Sequence, residues 1–192
     1  TRRAFDRSMG ELGLDVLDLY LIHWPYPGQD RYVETYRALI ALKEEGRLRS
    51  VGVSNFQPTH LDRIVGETGV VPVMNQVELH PHLQQADLRR YHEEHGIVTE
   101  AWAPLGAGKG PLDEPVLAEV AAAHGASPAQ VVLRWHLDLG NVVIPKSSNP
   151  GRMRENLDLW GFELSEDDHA RIASLDRGAA GRNGPDPDVF GA

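Results

Sequence analysis

The chain has 192 residues and a net charge of −9 at neutral pH, with a mass of 21.2 kDa and a pI near 5.4. This length supports one well-buried domain, which we expect to span 1–192, and is short for two domains of ordinary size. The acidic balance argues against a nucleic-acid partner, because phosphate binding needs a basic face. The sequence contains no Cys, which excludes disulfides, a thiolate nucleophile and a zinc–thiolate site.

No apolar run approaches the length that crosses a bilayer, and the first residues lack the apolar core of a secretory signal. We therefore predict a cytoplasmic protein with no membrane partner.

Short β-branched runs alternate with longer amphipathic segments along the chain. Phe5, Met9 and Leu12 lie at helical spacing and predict an opening helix. Five strand-like runs follow, at 16–22, 49–53, 73–77, 97–102 and 141–144. Helical patterns lie between and after them, at 31–46, 58–66, 84–95, 113–124, 128–138 and 165–175. This alternation predicts an α/β fold with a parallel sheet covered by helices, followed by an irregular tail at 178–192.

Polar or aromatic residues follow each predicted strand. In chain order they are His23, Ser54, Asn55, Gln76, Trp102, Lys146 and Ser147. The carboxyl ends of parallel strands meet at one edge, so this recurrence predicts a single site. Taken singly, the histidine could polarise a ligand or serve structure, and the amide and hydroxyl groups could recognise a carboxamide or cap turns. The tryptophan could stack on a flat heterocycle or belong to the core.

A basic cluster stands out in this acidic chain. Lys146, Ser147, Arg152 and Arg154 surround a predicted helix start at 148–150, a combination typical of an anion site. The glycine-rich stretch 106–110 reads as a flexible loop that could cover a ligand. The histidine pairs at 80 and 82 and at 92 and 95 are expected to hold no metal. We expect the second pair to be solvated on a polar helix.

Five motifs in this order and spacing resemble the aldo-keto reductases, and the similarity covers essentially the whole chain. They are Leu-Tyr-Leu-Ile-His-Trp-Pro at 19–25, Val-Gly-Val-Ser-Asn-Phe at 51–56, Asn-Gln-Val-Glu at 75–78, Ala-Trp-Ala-Pro-Leu-Gly at 101–106 and Ile-Pro-Lys-Ser at 144–147. Trp102 is most similar to bacterial members of the 2,5-diketo-gluconate reductase type, since most relatives carry Tyr there.

The resemblance implies an eight-stranded (β/α)8 barrel of the TIM type that binds NADPH and reduces aldehydes or ketones. This chain would hold strands four to eight, the C-terminal three-fifths of the barrel. His23 would be the catalytic histidine that orients the carbonyl, with Trp24 on the substrate side. The cofactor residues implied are Ser54, Asn55 and Gln76 for the nicotinamide carboxamide, Trp102 for the ring, Leu105 and Gly106 for the pyrophosphate loop, Lys146, Ser147 and Arg152 for the 2′-phosphate, and Glu155 and Asn156 for the adenine. The stretch 184–188 is similar to the family's C-terminal loop beside the substrate.

The sequence departs from the family in one respect. It begins after the third strand of the barrel, so the segments that carry the family's catalytic Asp, Tyr and Lys are absent from it. Two interpretations stay open: a carbonyl reductase acting on a small-molecule substrate, whose missing segment lies elsewhere, and a non-catalytic NADP(H)-binding or interaction protein derived from the same fold. We expect a monomer if the residues belong to a complete barrel, and an oligomer paired through open sheet edges if they form a true fragment.

Overall fold

The computed structural model describes residues 1–191 and has the predicted alternation of strands and helices. Ala192, the last residue of the predicted tail, lies outside the described residues. The strands are β1 (Leu17–Ile22), β2 (Leu48–Ser54), β3 (Met74–Glu78), β4 (Val98–Trp102) and β5 (Val142–Val143). The helices are α1 (Arg2–Leu12), α2 (Tyr32–Glu44), α3 (Pro58–Thr68), α4 (Ala86–His95), α5 (Pro115–His124), α6 (Pro128–Asp138), α7 (Pro150–Glu155) and α8 (Glu166–Ala173).

The five strands form one sheet whose order follows the chain, β1-β2-β3-β4-β5. Strand β1 pairs with β2 in parallel, with Tyr20 opposite Val51. Strands β2 and β3 are parallel with Ser54 opposite Gln76, and β4 and β5 with Ala101 opposite Val143. Each pair is joined through at least one helix, as parallel strands require. The predicted α/β class with a parallel sheet is therefore confirmed.

The described residues divide into two compact units. The first contains Thr1–Gln76, Asp87–Val98 and the described residues after Gly184, and the second contains Val77–Ala86 and Thr99–Gly184. The single domain expected from the length of the chain stays a prediction.

Helix α2 supplies much of the core of the first unit. The predicted face of Tyr32, Tyr36, Leu39 and Leu42 is buried, each side chain being at most 5% exposed, because these positions recur at helical spacing. On α1 the pattern holds only in part, since Phe5 is buried while 58% of Leu12 is exposed.

Helices α5 and α6 form the core of the second unit, and its helix starts follow the sequence signals. Ser127 caps α6 and Ser165 caps α8, each in a reciprocal capping box with the side chain three residues on. The buried residues of α5 and α6 include Leu117, Val120, Val131, Leu133 and Trp135.

Element boundaries differ from the sequence prediction by a few residues. Strand β5 keeps only two of the four residues expected, and Pro145, which has no N–H to donate to a ladder, follows soon after it. Helix α2 ends at Glu44, and Gly46 closes it with a φ of 75°. Among residues 1–191 no single helix is long and apolar enough to span a membrane. The pair α5 and α6 passes such a test together, by length and composition, but is bent by 87°.

Candidate functional site

Polar groups converge where β1, β2 and β3 end. The backbone oxygen of Gln76 accepts two hydrogen bonds, from the Ser54 hydroxyl at 2.7 Å and from the Asn55 amide at 2.9 Å. The Asn55 backbone is left-handed, with a φ of 63°, a conformation that Asn tolerates better than most residues. Its side-chain nitrogen donates to the Ser54 hydroxyl and to the backbone oxygen of His23, both at 3.0 Å. The structure thus brings His23, Ser54, Asn55 and Gln76 together.

Asn75 lies directly behind this cluster and is fully buried. Its side-chain oxygen accepts from the Phe56 amide at 3.3 Å, and its nitrogen donates to the Phe56 oxygen at 2.8 Å and to Nε2 of His92 at 3.0 Å. Burial, with a smaller effect of His95, lowers the pKa of His92 to about 4, so the ring is neutral at pH 7 and can accept. This network fixes the backbone beside Asn55. The sequence alone assigned no role to Asn75 or His92 in it.

His23 and Trp24 follow β1 directly. The His23 ring is exposed and Trp24 is half-buried, with 6.2 Å between the ring centroids. Phe190 packs against Trp24 at 4.6 Å and against Tyr26 at 5.0 Å between centroids. The end of the chain thereby places an aromatic side chain next to Trp24.

Two cations line the main cavities of the second unit. Lys146 and Arg152 border a cavity of about 480 Å³ and also a cavity of about 770 Å³. The first is further lined by predicted site residues, namely Leu105, Ser147, Glu155 and Asn156. Arg154, the remaining cation of the predicted cluster, is not among the lining residues of either cavity. Of the two arginines, Arg152 is therefore the one that lines these cavities.

Helix α7 brings Arg152 to this cavity. The Asn149 side chain caps the helix by accepting from the amides of Gly151 and Arg152 at 2.8 and 3.2 Å. Pro150 at the first helical position has no amide to leave unpaired. The Ser147 hydroxyl accepts from the Asn149 amide at 3.1 Å and lies at the entrance to the turn. Helix α7 thus begins where the sequence predicts a helix start, at 148–150, and the Asn149 side chain is bonded to the first amides of that helix.

The glycine-rich loop, defined here as residues 103–110, leaves β4 in a strained conformation. Five of its residues have positive φ: Ala103, Gly106, Ala107, Gly108 and Gly110. Glycine adopts this region without penalty, whereas the two alanines do not. Gly106 donates to the Ala103 oxygen at 2.8 Å and lies tightly against Pro111. The loop thus combines strained backbone with a close contact at Pro111.

A buried carboxylate lies near Trp102. Glu78 and His80 have completely buried side chains, and His80 Nε2 lies 3.0 Å from a Glu78 oxygen. The backbone amides of Asn183 and Gly184 donate to the two oxygens of Glu78 at 2.7 and 2.9 Å. A Cβ on Gly184 would approach the Trp102 ring to 2.7 Å. The C-terminal segment, defined here as residues 177–184, therefore packs tightly against Trp102.

The family profile described as "Aldo/keto reductase family" matches residues 1–177. The chain belongs to the aldo/keto reductase family. It is 54% identical over 190 residues to an aldo-keto reductase of Mycolicibacterium smegmatis, covering 99% of this chain and 68% of that protein. It is 51% identical over 191 residues to the methylglyoxal reductase DkgA of Escherichia coli, covering 99% of this chain and 69% of that protein.

Solved structures of the family agree with the fold. The crystal structure of Gox0644 in its apo form superposes with a TM-score of 0.93 at 55% identity, covering 96% of this chain and 68% of that one. A mutant of Gox0644, crystallised in complex with NADPH, also gives 0.93, at 54% identity, and covers 97% of this chain and 68% of that one.

In this aldo/keto reductase the predicted site residues fall into two groups. The first unit holds His23, Trp24, Ser54, Asn55 and Gln76, and the second holds Trp102, Leu105, Gly106, Lys146, Ser147, Arg152, Glu155 and Asn156. The group in the first unit lies at polar strand ends, and the group in the second unit includes the residues of a cation-lined cavity.

The histidine pairs have protein partners. Within residues 1–191 no group of three or more His, Asp or Glu side chains is placed to hold a metal ion. His82 contacts a Glu114 oxygen at 2.6 Å. The expectation that His92 is solvated was wrong, because Leu88 and His92, four residues apart, share the buried face of α4.

Proposed function

We propose that this chain binds NADPH and forms part of an enzyme that reduces aldehydes or ketones to alcohols. The observation that carries the proposal is the pair Lys146 and Arg152 on one cavity of a chain with a net charge of −9. Two cations and a hydroxyl suit a phosphate monoester, which favours NADPH over NADH. The membership of the chain in the aldo/keto reductase family supports the same reaction class.

The adenosine end of NADPH fits the second unit. Lys146, Ser147 and Arg152 would bind the 2′-phosphate, and Glu155 and Asn156 supply the acceptor and donor groups that an adenine edge requires. Leu105 lines the same cavity and opens, with Gly106, the loop that would cover the pyrophosphate.

The nicotinamide end fits the polar strand ends. Ser54, Asn55 and Gln76 carry hydroxyl and amide groups, which suit recognition of a carboxamide, and the Ser54 and Asn55 side chains are hydrogen-bonded to each other. Trp102 would stack on the ring, a contact worth about 0.5–1.5 kcal/mol beyond burial. When bound, NADPH supplies the reducing equivalents. These side chains would orient the cofactor, and the Ser54 and Asn55 side chains are held by hydrogen bonds to the backbone oxygens of Gln76 and His23.

His23 would orient the substrate carbonyl by hydrogen bonding, and Trp24 would form the adjacent wall of the substrate site. Reduction of a carbonyl also needs a proton donor at its oxygen. The 192 residues match 68% of the relatives' length, and we infer that their five strands are strands four to eight of a (β/α)8 barrel. We assign the proton donor, with its Asp and Lys partners, to the part of the barrel that these residues do not match.

The test compares Arg152→Ala with Arg154→Ala in titrations of the full 192-residue chain with NADPH and NADH, followed by nucleotide fluorescence. Loss of a charge-assisted phosphate contact should weaken NADPH binding about 10- to 100-fold in Arg152→Ala. NADH should change by less than about threefold, because its ribose carries no phosphate to lose. Arg154→Ala is the matched control and should change neither. Equal losses of both nucleotides in Arg152→Ala would contradict the assignment.

A non-catalytic NADP(H)-binding protein is the second candidate, because the cation-lined cavity by itself accounts for nucleotide binding and not for reduction. Methylglyoxal, the substrate named for the DkgA relatives, serves as the test aldehyde. Loss of NADPH absorbance supports the reductase, whereas NADPH binding without loss of absorbance supports the second candidate for this chain.

The intact mass of the protein from its native source tests where the proton donor lies. A mass well above 21.2 kDa would put it on the same polypeptide.

A further inference from the structure

Asn183 contacts the glycine-rich loop at two points. The Lys109 ammonium donates to the Asn183 backbone oxygen at 3.2 Å. The Asn183 side-chain nitrogen donates to the Gly106 oxygen at 3.4 Å. One residue of the C-terminal segment therefore holds the loop at Gly106 and at Lys109, although the two parts are more than 70 positions apart in the sequence.

The same residue is anchored on its other side by a buried charge. The amides of Asn183 and Gly184 donate to separate oxygens of Glu78, whose side chain is fully buried. Burial raises the pKa of Glu78, but hydrogen bonds from His80, Gly184 and Asn183 together outweigh that effect and hold the pKa below its usual value. The carboxylate is thus ionised at neutral pH, and ionised acceptors bind amides more strongly than neutral ones.

The loop conformation needs such anchoring. Ala103 and Ala107 have φ values of 50° and 51°, and left-handed backbone in a residue with a Cβ costs about 1–3 kcal/mol. Strain of this kind persists only when surrounding contacts fix the conformation. The contacts of Gly106 and Lys109 with Asn183 can fix the conformation in this way, because they lie at the two ends of the strained turn Gly106–Gly108.

We propose that Asn183 is a positioning residue that couples the glycine-rich loop to the C-terminal segment beside Trp102, with Glu78 as its buried anchor. Releasing the loop from Asn183 loosens the segment that packs on Trp102, and weakening the Glu78 anchor loosens the loop. Such coupling is reciprocal by thermodynamic necessity. Its consequence for the cofactor rests on the proposed function, in which this loop covers the pyrophosphate and Trp102 faces the nicotinamide.

The first test needs no cofactor. Hydrogen–deuterium exchange of the full chain is compared for the wild type, Lys109→Met, Asn183→Ala, Glu78→Gln and Lys43→Met. Lys109 is exposed, so its variant is not expected to perturb folding, and Lys43, an exposed lysine on α2, is the matched control. Lys109→Met should speed exchange of the Asn183 and Gly184 amides about 3- to 10-fold, the effect of one lost hydrogen bond. Glu78→Gln should speed exchange across residues 106–110 by a similar factor, and Lys43→Met should change neither region.

Faster exchange in only one of the two regions, the glycine-rich loop or the C-terminal segment, would overturn the coupling. If Lys109→Met speeds exchange only within the loop and leaves the amides of Asn183 and Gly184 unchanged, the two regions are independent. Should Glu78→Gln fail to fold, Lys109→Met still decides the question, because it removes one contact of the loop and leaves Glu78 and its partner His80 unchanged. Asn183→Ala in addition removes the contact of the Asn183 side chain with His80 Nε2 at 3.1 Å.

The second test measures the dissociation rate of NADPH by stopped-flow dilution into excess NADP⁺. Asn183→Ala and Lys109→Met should speed dissociation about 3- to 10-fold, with association changed much less, because these contacts would hold the loop over a nucleotide that is already bound. Lys43→Met should match the wild type. A wild-type chain that binds no NADPH would overturn the proposed function while leaving the exchange result intact, so the two failures are distinguishable. If the variants change hydrogen–deuterium exchange in both regions but leave the dissociation rate of NADPH unchanged, the coupling exists and has no role in retaining the cofactor.

Discussion

Asn75 offers the sharpest test of how the polar strand ends are held. The substitution Asn75→Ala removes three hydrogen bonds at once: two with the Phe56 backbone, at 3.3 and 2.8 Å, and one to His92 at 3.0 Å. The amide and the oxygen of Phe56 would then lose their side-chain partner inside the core. Each such group costs about 1–3 kcal/mol. Losses within one network do not add fully, so we expect the free energy of unfolding to fall by about 3–5 kcal/mol.

Urea unfolding followed by far-UV circular dichroism measures this difference. The control is Asn149→Ala, which removes an exposed side-chain cap from α7 and should cost only about 1 kcal/mol. Both variants delete the same side chain, so the contrast isolates the effect of burial. Equal losses, or a loss below about 1 kcal/mol for Asn75→Ala, would refute the reasoning that this network carries the backbone beside Asn55.

Two further predictions concern stability. Because burial, aided by His95, lowers the pKa of His92 from 6.5 to about 4, the unfolded chain binds a proton in that pH interval that the folded chain does not. Stability should therefore fall by up to about 3 kcal/mol as the pH drops from 6.5 to 4, and His92→Gln should flatten the profile of urea midpoints there; an identical slope would contradict the assignment. A Cβ at Gly181 would overlap the backbone oxygen of His82, whereas one at Gly161 meets nothing within 4 Å. Thermal unfolding should show a loss of about 2 kcal/mol or more for Gly181→Ala and a change within about 0.5 kcal/mol for Gly161→Ala, and matching midpoints would argue against the close approach.

Local patterns predicted the elements well because their causes are local. Tyr32, Tyr36, Leu39 and Leu42 recur at helical spacing, and all four are buried as expected. The cap at Ser127 likewise depends on residues within three positions. Strand β5 was predicted too long, because its extent depends on how many residues pair with β4, and the register gives two.

The sequence indicates the strand ends of the candidate site but not the buried residues that hold them. Strand ends point to Ser54, Asn55 and Gln76 because parallel strands finish at the same edge. The role of Asn75 was missed, since its partners lie 17 and 19 positions away in the sequence. A signal did exist for His92, which lies four residues after the apolar Leu88 and therefore on the same helix face.

Arg152 and Arg154 illustrate a different limit. Sequence proximity put both in one basic cluster, but only the first lines the cavities. Residues two apart on a helix point about 200° away from each other, so they cannot both face the same ligand. Of the two arginines, only Arg152 therefore stays in the predicted anion site.

The hydrogen bonds of Glu78 also determine when the end of β3 can become buried during synthesis. The amides that satisfy this carboxylate come from residues 105 and 106 positions later in the chain. When Glu78 leaves the ribosome, most of the second unit has not yet been translated. A buried charge without its partners is costly, so the end of β3 must stay hydrated until Asn183 and Gly184 emerge. A ribosome stalled shortly before Asn183 would therefore present Glu78 to solvent.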